Sequence, residues 1–233
     1  MIPKILHLCW LSEDPYPPLI ERCLKSWEAN LPEYTIKIWN SKTIDIESNL
    51  WLSQAFKTKK YAFAADYIRF YALYNYGGIY LDADVEVLRS FDSLLDRKYF
   101  IGEEAGGDIE AAVIGAEKGM EWIKECFDYY KDRPFIKEDG KFDMRPVPLL
   151  INSKVDKYKL SVFSFNYFSP KDYNIGKIQL SENTYCIHHF DGKWITPGLL
   201  QKIKKAIHKT IYCFLGRKGH NSLIKAIRPF IGH

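Results

Sequence analysis

The stretch from Tyr61 to Asp84, YAFAADYIRFYALYNYGGIYLDAD, constrains the fold more than any other part of this 233-residue chain. Its first part lacks Gly and Pro and is rich in Ala and aromatics, which predicts a helix over Tyr61 to Tyr76. Gly77-Gly78 supplies the left-handed residue that ends such a helix. Ile79 to Leu81 then predicts a strand ending in Asp82-Ala83-Asp84, so helix and strand alternate as in an α/β layer fold. Side chains on a strand alternate with period two, which places Asp82 and Asp84 on one face. Two carboxylates at the end of a rigid strand suit a divalent cation, Mg2+ or Mn2+, that also carries phosphate oxygens. Alone, the tripeptide is weak, since two acids at a strand end more often mark a solvated turn.

The same alternation recurs upstream. Ile2 to Cys9 predicts a strand, DPYPP a turn, and Ile20, Cys23, Leu24 and Trp27 fall at helical spacing. Tyr34 to Trp39 predicts a second strand. On the Tyr61 to Tyr76 helix, Asp66 and Arg69 stand at i, i+3 and share a face. That pair reads either as a surface ion pair of little energetic value or as a polar rim over a ligand held at Asp82 and Asp84. Residues 101 to 180 are less regular. EEAGGDIEAA predicts a loop approaching a site, Gly119 to Tyr130 a helix, and RPVPLL a turn or edge segment. Tyr185 to His189 predicts a short strand leading to Asp191-Gly192.

Composition divides the chain. The net charge is +4, yet residues 192–233 hold nine Lys/Arg and no Asp/Glu, whereas the preceding part carries all 29 acidic residues. The expected division is an α/β domain over 1–196 and a basic amphipathic helical tail over 197–233. In that tail Leu199, Leu200, Ile203, Ala206, Ile207, Ile211, Phe214 and Leu215 recur at helical spacing opposite Lys202, Lys204, Lys205, His208 and Lys209. Such a helix reads either as one packed on the body with a solvated basic face or as one lying on an anionic membrane surface; the absence of acids after Asp191 favours the second, which gives an expected peripheral location on the cytoplasmic membrane face. No nucleic-acid-binding module is recognisable. Five widely spaced cysteines without a CxxC pair argue against a disulfide framework or a structural zinc site and fit a reducing compartment. No window is apolar enough to cross a bilayer.

Five ordered segments carry a resemblance: IPKILHLCW, SWEANLPEYTIKIWN, the A-x-D-x-x-R helix, GGIYLDADVEVL and HHFDGKW. Together they resemble glycosyltransferase family 32, which includes capsular and lipopolysaccharide enzymes and fungal mannosyltransferases. More distantly they resemble the catalytic domain of the large clostridial glucosylating toxins. The resemblance implies a GT-A fold, a Rossmann-like nucleotide-sugar-binding domain. It also implies retaining transfer of a hexose from a UDP-sugar to a glycan or lipid-linked oligosaccharide acceptor in surface polysaccharide biosynthesis, with Mn2+ or Mg2+ as cofactor. By the same resemblance Trp10 stacks on the uracil, while Asp66 and Arg69 hold the ribose and the transferred sugar. Asp82 contacts ribose and sugar hydroxyls beside the metal, Asp84 ligates it, and His188 adds a metal or phosphate contact with His189 as the substitute. The catalytic set is thus Asp82, Asp84 and Arg69. Lys193-Trp194 replaces the family's late Ser-Trp pair, and Lys193 reads either as a point charge that reaches the leaving diphosphate or as the mark of a changed loop. The turn after Trp10 reads Leu11-Ser12-Glu13 in place of the family's W-[FI]-G-G.

Two other classes share parts of this pattern. LDADVEV fits the D-x-D-x-[TV] loop of haloacid-dehalogenase-type phosphatases, in which the first Asp is a nucleophile. That family places the motif after its first strand and needs a later acidic pair, absent after Gly107-Asp108. A carbohydrate-binding protein that kept the fold but lost turnover is the second, and loss of Asp84 or Arg69 would mark it. Both residues are present.

Overall fold

The computed structural model describes residues 1–191 except 13 and 174, together with ten scattered positions between 210 and 226. The strands are β1 (Ile5–Cys9), β2 (Thr35–Trp39), β3 (Gly78–Leu81), β4 (Val85–Val87), β5 (Tyr99–Glu103), β6 (Ile109–Ala116) and β7 (Cys186–His188). The helices are α1 (Pro18–Asn30), α2 (Leu50–Lys57), α3 (Tyr61–Tyr76), α4 (Glu121–Asp128) and α5 (Val147–Tyr158). Five strands form the central sheet in the order β2-β1-β3-β6-β5. β1 is parallel to both β2 and β3, whereas β6 is antiparallel to β3 and to β5. β4 and β7 pair antiparallel as a separate two-stranded ribbon.

Alternation along β3 shows how the sheet is covered. Tyr80 joins one apolar cluster with Trp51, Ile68 and Leu73, while Ile79 and Leu81 join the other with Leu6, Leu8 and Trp27. Both faces of the sheet are therefore buried, which is why its inner strands read as apolar runs. α3 is apolar nearly all round because it packs under the sheet and against α2 and α4.

The passage from α3 to β3 needs two glycines. Gly77 has φ +66 and Gly78 φ +104; a Cβ on Gly77 would lie 2.6 Å from the Lys118 amide nitrogen, and one on Gly78 2.6 Å from the Ile5 carbonyl oxygen. His7, on the adjacent β1, donates from Nε2 to the Gly77 carbonyl at 2.7 Å and accepts at Nδ1 from the Trp39 indole at 3.2 Å. The junction that aims β3 is thus tied to β1 and β2.

Several expectations need correction. β1 starts at Ile5, not Ile2, because Ile5 donates back to the Pro3 carbonyl in a turn. EEAGGDIEAA is not simply a loop: Glu103 ends β5, residues 104–108 turn, and Ile109 opens the eight-residue strand β6. RPVPLL is the start of α5, with Pro146 at the cap and Pro148 in the first turn, where proline costs no hydrogen bond. The boundary at 196/197, the tail helix expected from Leu199, and Lys193-Trp194 lie largely or wholly outside the described residues; positions 210–212 and 214–216 are helical. The four described cysteines, Cys9, Cys23, Cys126 and Cys186, are free thiols. Among the described residues no helix is long and apolar enough to cross a membrane.

Candidate active site

β1 and β3 are parallel neighbours, so Trp10 after β1 and Asp82 after β3 emerge at the same edge of the sheet. In open α/β sheets the crevice beyond the carboxyl ends of parallel strands is where ligands bind. Asp82-Ala83-Asp84 is not part of the strand, contrary to the simple reading of period-two alternation. β3 stops at Leu81, and a turn closed by the Val85 amide on the Asp82 carbonyl at 3.0 Å carries both acids. This turn brings Asp82, Asp84 and His188 together, with one ligand atom from each within 4.8 Å of the others.

Each member of the cluster is held from behind. The Asp82 amide donates to the Ala112 carbonyl on β6 at 2.9 Å. Its Oδ1 accepts from Arg69 Nη2 and from the Tyr80 hydroxyl, both at 3.0 Å. Burial raises the Asp82 carboxyl above the ordinary range, and the Arg69 guanidinium opposes that rise. Asp84 is anchored through Oδ2 by the Asp191 amide at 2.8 Å, and its carbonyl accepts from the His189 amide at 3.1 Å. Burial works against the Asp84 carboxylate, yet His188 and the backbone donors hold its pKa down to about 2.

Asp66 and Arg69 are no surface pair. Their side chains are 12% and 5% exposed, and Arg69 Nη2 lies 3.5 Å from Asp66 and 3.0 Å from Asp82. Nη1 donates to the Ala111 carbonyl at 2.9 Å, and the guanidinium lies over the Tyr80 ring. Arg69 therefore bridges α3, β6 and the acidic turn, while its buried Nε has no hydrogen-bond partner among the described residues. Burial pushes the Asp66 carboxyl up to about 7 despite Arg69, and Asp82 adds to the rise.

The two histidines part company at the end of β7, which closes at His188 and not at His189 as expected from the sequence. His188 Nε2 lies 3.4 Å from Asp84 Oδ1, and Nδ1 donates to Glu110 Oε2 at 3.0 Å. Burial would lower its pKa, but Glu110 and Asp84 together raise it well above the ordinary value. His189 turns the other way, to Glu86 at 2.7 Å and Arg22 at 3.3 Å. Trp10 is half-buried at the rim; its ring tilts against Tyr16 at 4.9 Å, and its Nε1 donates to the Asp14 carbonyl at 3.2 Å. Lys193 and Trp194 lie outside the described residues.

Sequence reading missed Glu110, Tyr80 and Ser169. Glu110 carried a signal: it is a lone acid at the head of the apolar run IEAAVIGA, and acids are rarely buried unless paired.

A mixed α/β domain with an acidic D-x-D turn at the edge of its parallel strands is the class this geometry defines. Residues 17–101 match the model of the glycosyltransferase sugar-binding region containing DXD motif, so over that span the chain is glycosyltransferase-like. The span includes Asp66, Arg69, Asp82 and Asp84 and stops short of Glu110 and His188. The chain is 31% identical over 126 residues to inositol phosphoceramide mannosyltransferase 3 of Schizosaccharomyces pombe, covering 52% of this chain and 35% of that protein. It is 28% identical over 120 residues to mannosyl phosphorylinositol ceramide synthase CSH1 of Saccharomyces cerevisiae, covering 50% and 32%. The match thus spans about a third of the length of these curated relatives. Among solved structures, PaToxG glycosyltransferase aligns over 95% of this chain and 87% of its own, at 16% identity and a TM-score of 0.46.

Proposed function

We propose that this chain is a GT-A-type, metal-dependent glycosyltransferase that moves a hexose from a nucleoside diphosphate sugar to a glycan or glycolipid acceptor with retention. The observation that carries the reading is the convergence of Asp82, Asp84 and His188 at the edge of the parallel strands. Two carboxylates and an imidazole nitrogen are a donor set that fits Mn2+ or Mg2+ with room for phosphate oxygens. A cation held there would neutralise the departing nucleoside diphosphate. The chain's own residues do the rest. Arg69 places a fixed positive charge beside Asp82, Asp66 and Asp82 offer carboxylates to sugar hydroxyls, and Trp10 offers a ring face to the base.

The donor is read as a UDP-sugar from the sequence resemblance, whereas one curated relative is named as a mannosyltransferase and the other as a mannosyl phosphorylinositol ceramide synthase. The names refer to inositol phosphoceramide and to phosphorylinositol ceramide, and neither is that of a capsular enzyme, so a surface-glycan acceptor rests on the sequence resemblance alone. We read the acceptor class as a glycan or a lipid-borne headgroup at the cytoplasmic membrane face. Support comes from the all-basic segment 192–233 and from Phe214, which is 84% exposed.

The test is a panel of UDP- and GDP-hexoses assayed for donor hydrolysis and for protection against thermal unfolding, with and without Mn2+. At least one donor should be hydrolysed only with the cation, and Asp84→Ala should lower that rate about 100- to 1,000-fold in a folded protein. Unchanged hydrolysis in chelator, or full activity in Asp84→Ala, would contradict the reading.

A further inference from the structure

Residues 110 to 112 of β6 hold three parts of the site at once. The Ala111 carbonyl accepts from Arg69 Nη1 at 2.9 Å, and the Ala112 carbonyl accepts from the Asp82 amide at 2.9 Å. The Ala112 amide in turn donates to Glu110 Oε1 at 2.8 Å. Glu110 Oε2 then accepts from the Ser169 hydroxyl at 3.1 Å and from His188 Nδ1 at 3.0 Å. Glu110 is only 7% exposed. A carboxylate that deep persists only where donors are fixed around it, because burial strips it of water. All three donors here are fixed: a strand amide, a buried serine and a buried imidazole.

The consequence falls on His188. With Nδ1–H committed to Glu110, the ring's orientation is set, and Nε2 is the nitrogen left toward Asp84 Oδ1 at 3.4 Å. We propose that Glu110 is a positioning residue of the cation site, acting through His188 to present Nε2 beside the Asp82-Asp84 turn. Metal-binding histidines are commonly oriented in this way by a carboxylate on the other ring nitrogen, and loss of that carboxylate weakens metal affinity by about 10- to 100-fold. The same short strand segment that fixes Asp82 and Arg69 thereby fixes the third member of the set. The inference rests on the cation reading given above.

The experiment is a titration of Mn2+ into the full chain, with free Mn2+ followed by electron paramagnetic resonance and no sugar donor present. Four proteins are compared: the unaltered chain, Glu110→Gln, His188→Ala and the double variant. Glu110→Gln should weaken Mn2+ binding about 10- to 100-fold. In the His188→Ala background the same change should have little further effect, because its influence passes through the ring. Equal loss in both backgrounds would show Glu110 to be a general support of the fold and would overturn the proposal, as would Mn2+ binding unaltered by Glu110→Gln. If the unaltered chain binds no Mn2+, the cation reading falls and this inference falls with it. Should Glu110→Gln fail to fold, Ser169→Ala removes a single donor and is read in its place, against the same His188→Ala background. It should weaken binding severalfold with His188 present and not in its absence, and no change in the first case overturns the proposal.

Discussion

His7 shows how far a single side chain's neighbours dictate its chemistry. The Trp39 indole can only donate and the Gly77 carbonyl can only accept, so both are satisfied only by a neutral ring carrying its proton on Nε2. Burial, with Lys37 nearby, lowers the His7 pKa to about 4 from 6.5, although the bond to Gly77 opposes the shift. A depressed folded value means that this contribution is complete above pH 6.5 and is lost as pH falls through about 4. The shift corresponds to about 3 kcal/mol. Urea denaturation at pH 7.5 and pH 4 should therefore show the unaltered chain losing about 3 kcal/mol more than His7→Asn. Equal pH dependence in the two would contradict the assignment. Arg69 is constrained in a different way, by two carboxylates and a strand carbonyl, and lysine, with its compact ammonium, cannot reproduce that fork.

Among the elements, the α3 to β3 junction carries the clearest prediction. Gly78→Ala places a Cβ 2.6 Å from the Ile5 carbonyl at φ +104, where an L side chain is already strained. Backbone strain of this kind costs about 1–3 kcal/mol before the clash is counted, so the variant should be destabilised by at least about 2 kcal/mol in chemical denaturation. A loss under about 0.5 kcal/mol would mean that the junction relaxes freely. This junction was legible in the sequence because the signals were local: an uninterrupted helix, two glycines, a short apolar strand. α1 was legible for the same reason, since its buried residues Ile20, Cys23 and Trp27 fall on one face. β6 was not, because a strand buried on both faces has no alternation to read, and the glycines of its turn dominated the pattern. α5 was hidden by two prolines that mark a helix start as readily as a break. At the site, the D-x-D turn and Arg69 stood out, whereas Glu110 depends on contacts with residues 59 and 78 positions away, Ser169 and His188, which no local pattern reveals.

Across the whole molecule, charge and apolar exposure are distributed unevenly. The body up to Asp191 holds every acidic residue, while residues 192–233 carry nine Lys/Arg and no Asp/Glu, and Phe214 and Leu215 are exposed among them. Each Lys or Arg near an anionic leaflet contributes about 1 kcal/mol, and the proposed membrane attachment rests on the sum over this segment. In sedimentation with anionic liposomes at low salt, the full chain should be recovered with the lipid and a chain truncated after Thr196 should stay in solution. Equal recovery would refute the membrane role. The central claim, that the Asp82-Asp84 turn and His188 form one cation site for a nucleoside diphosphate sugar, is tested most directly by diffraction. Crystals grown with Mn2+ and UDP, measured at the manganese absorption edge, should give one anomalous peak within bonding distance of Asp84 and His188, bridged to the diphosphate. An absent peak, or a peak away from these residues with UDP bound elsewhere, would contradict the account.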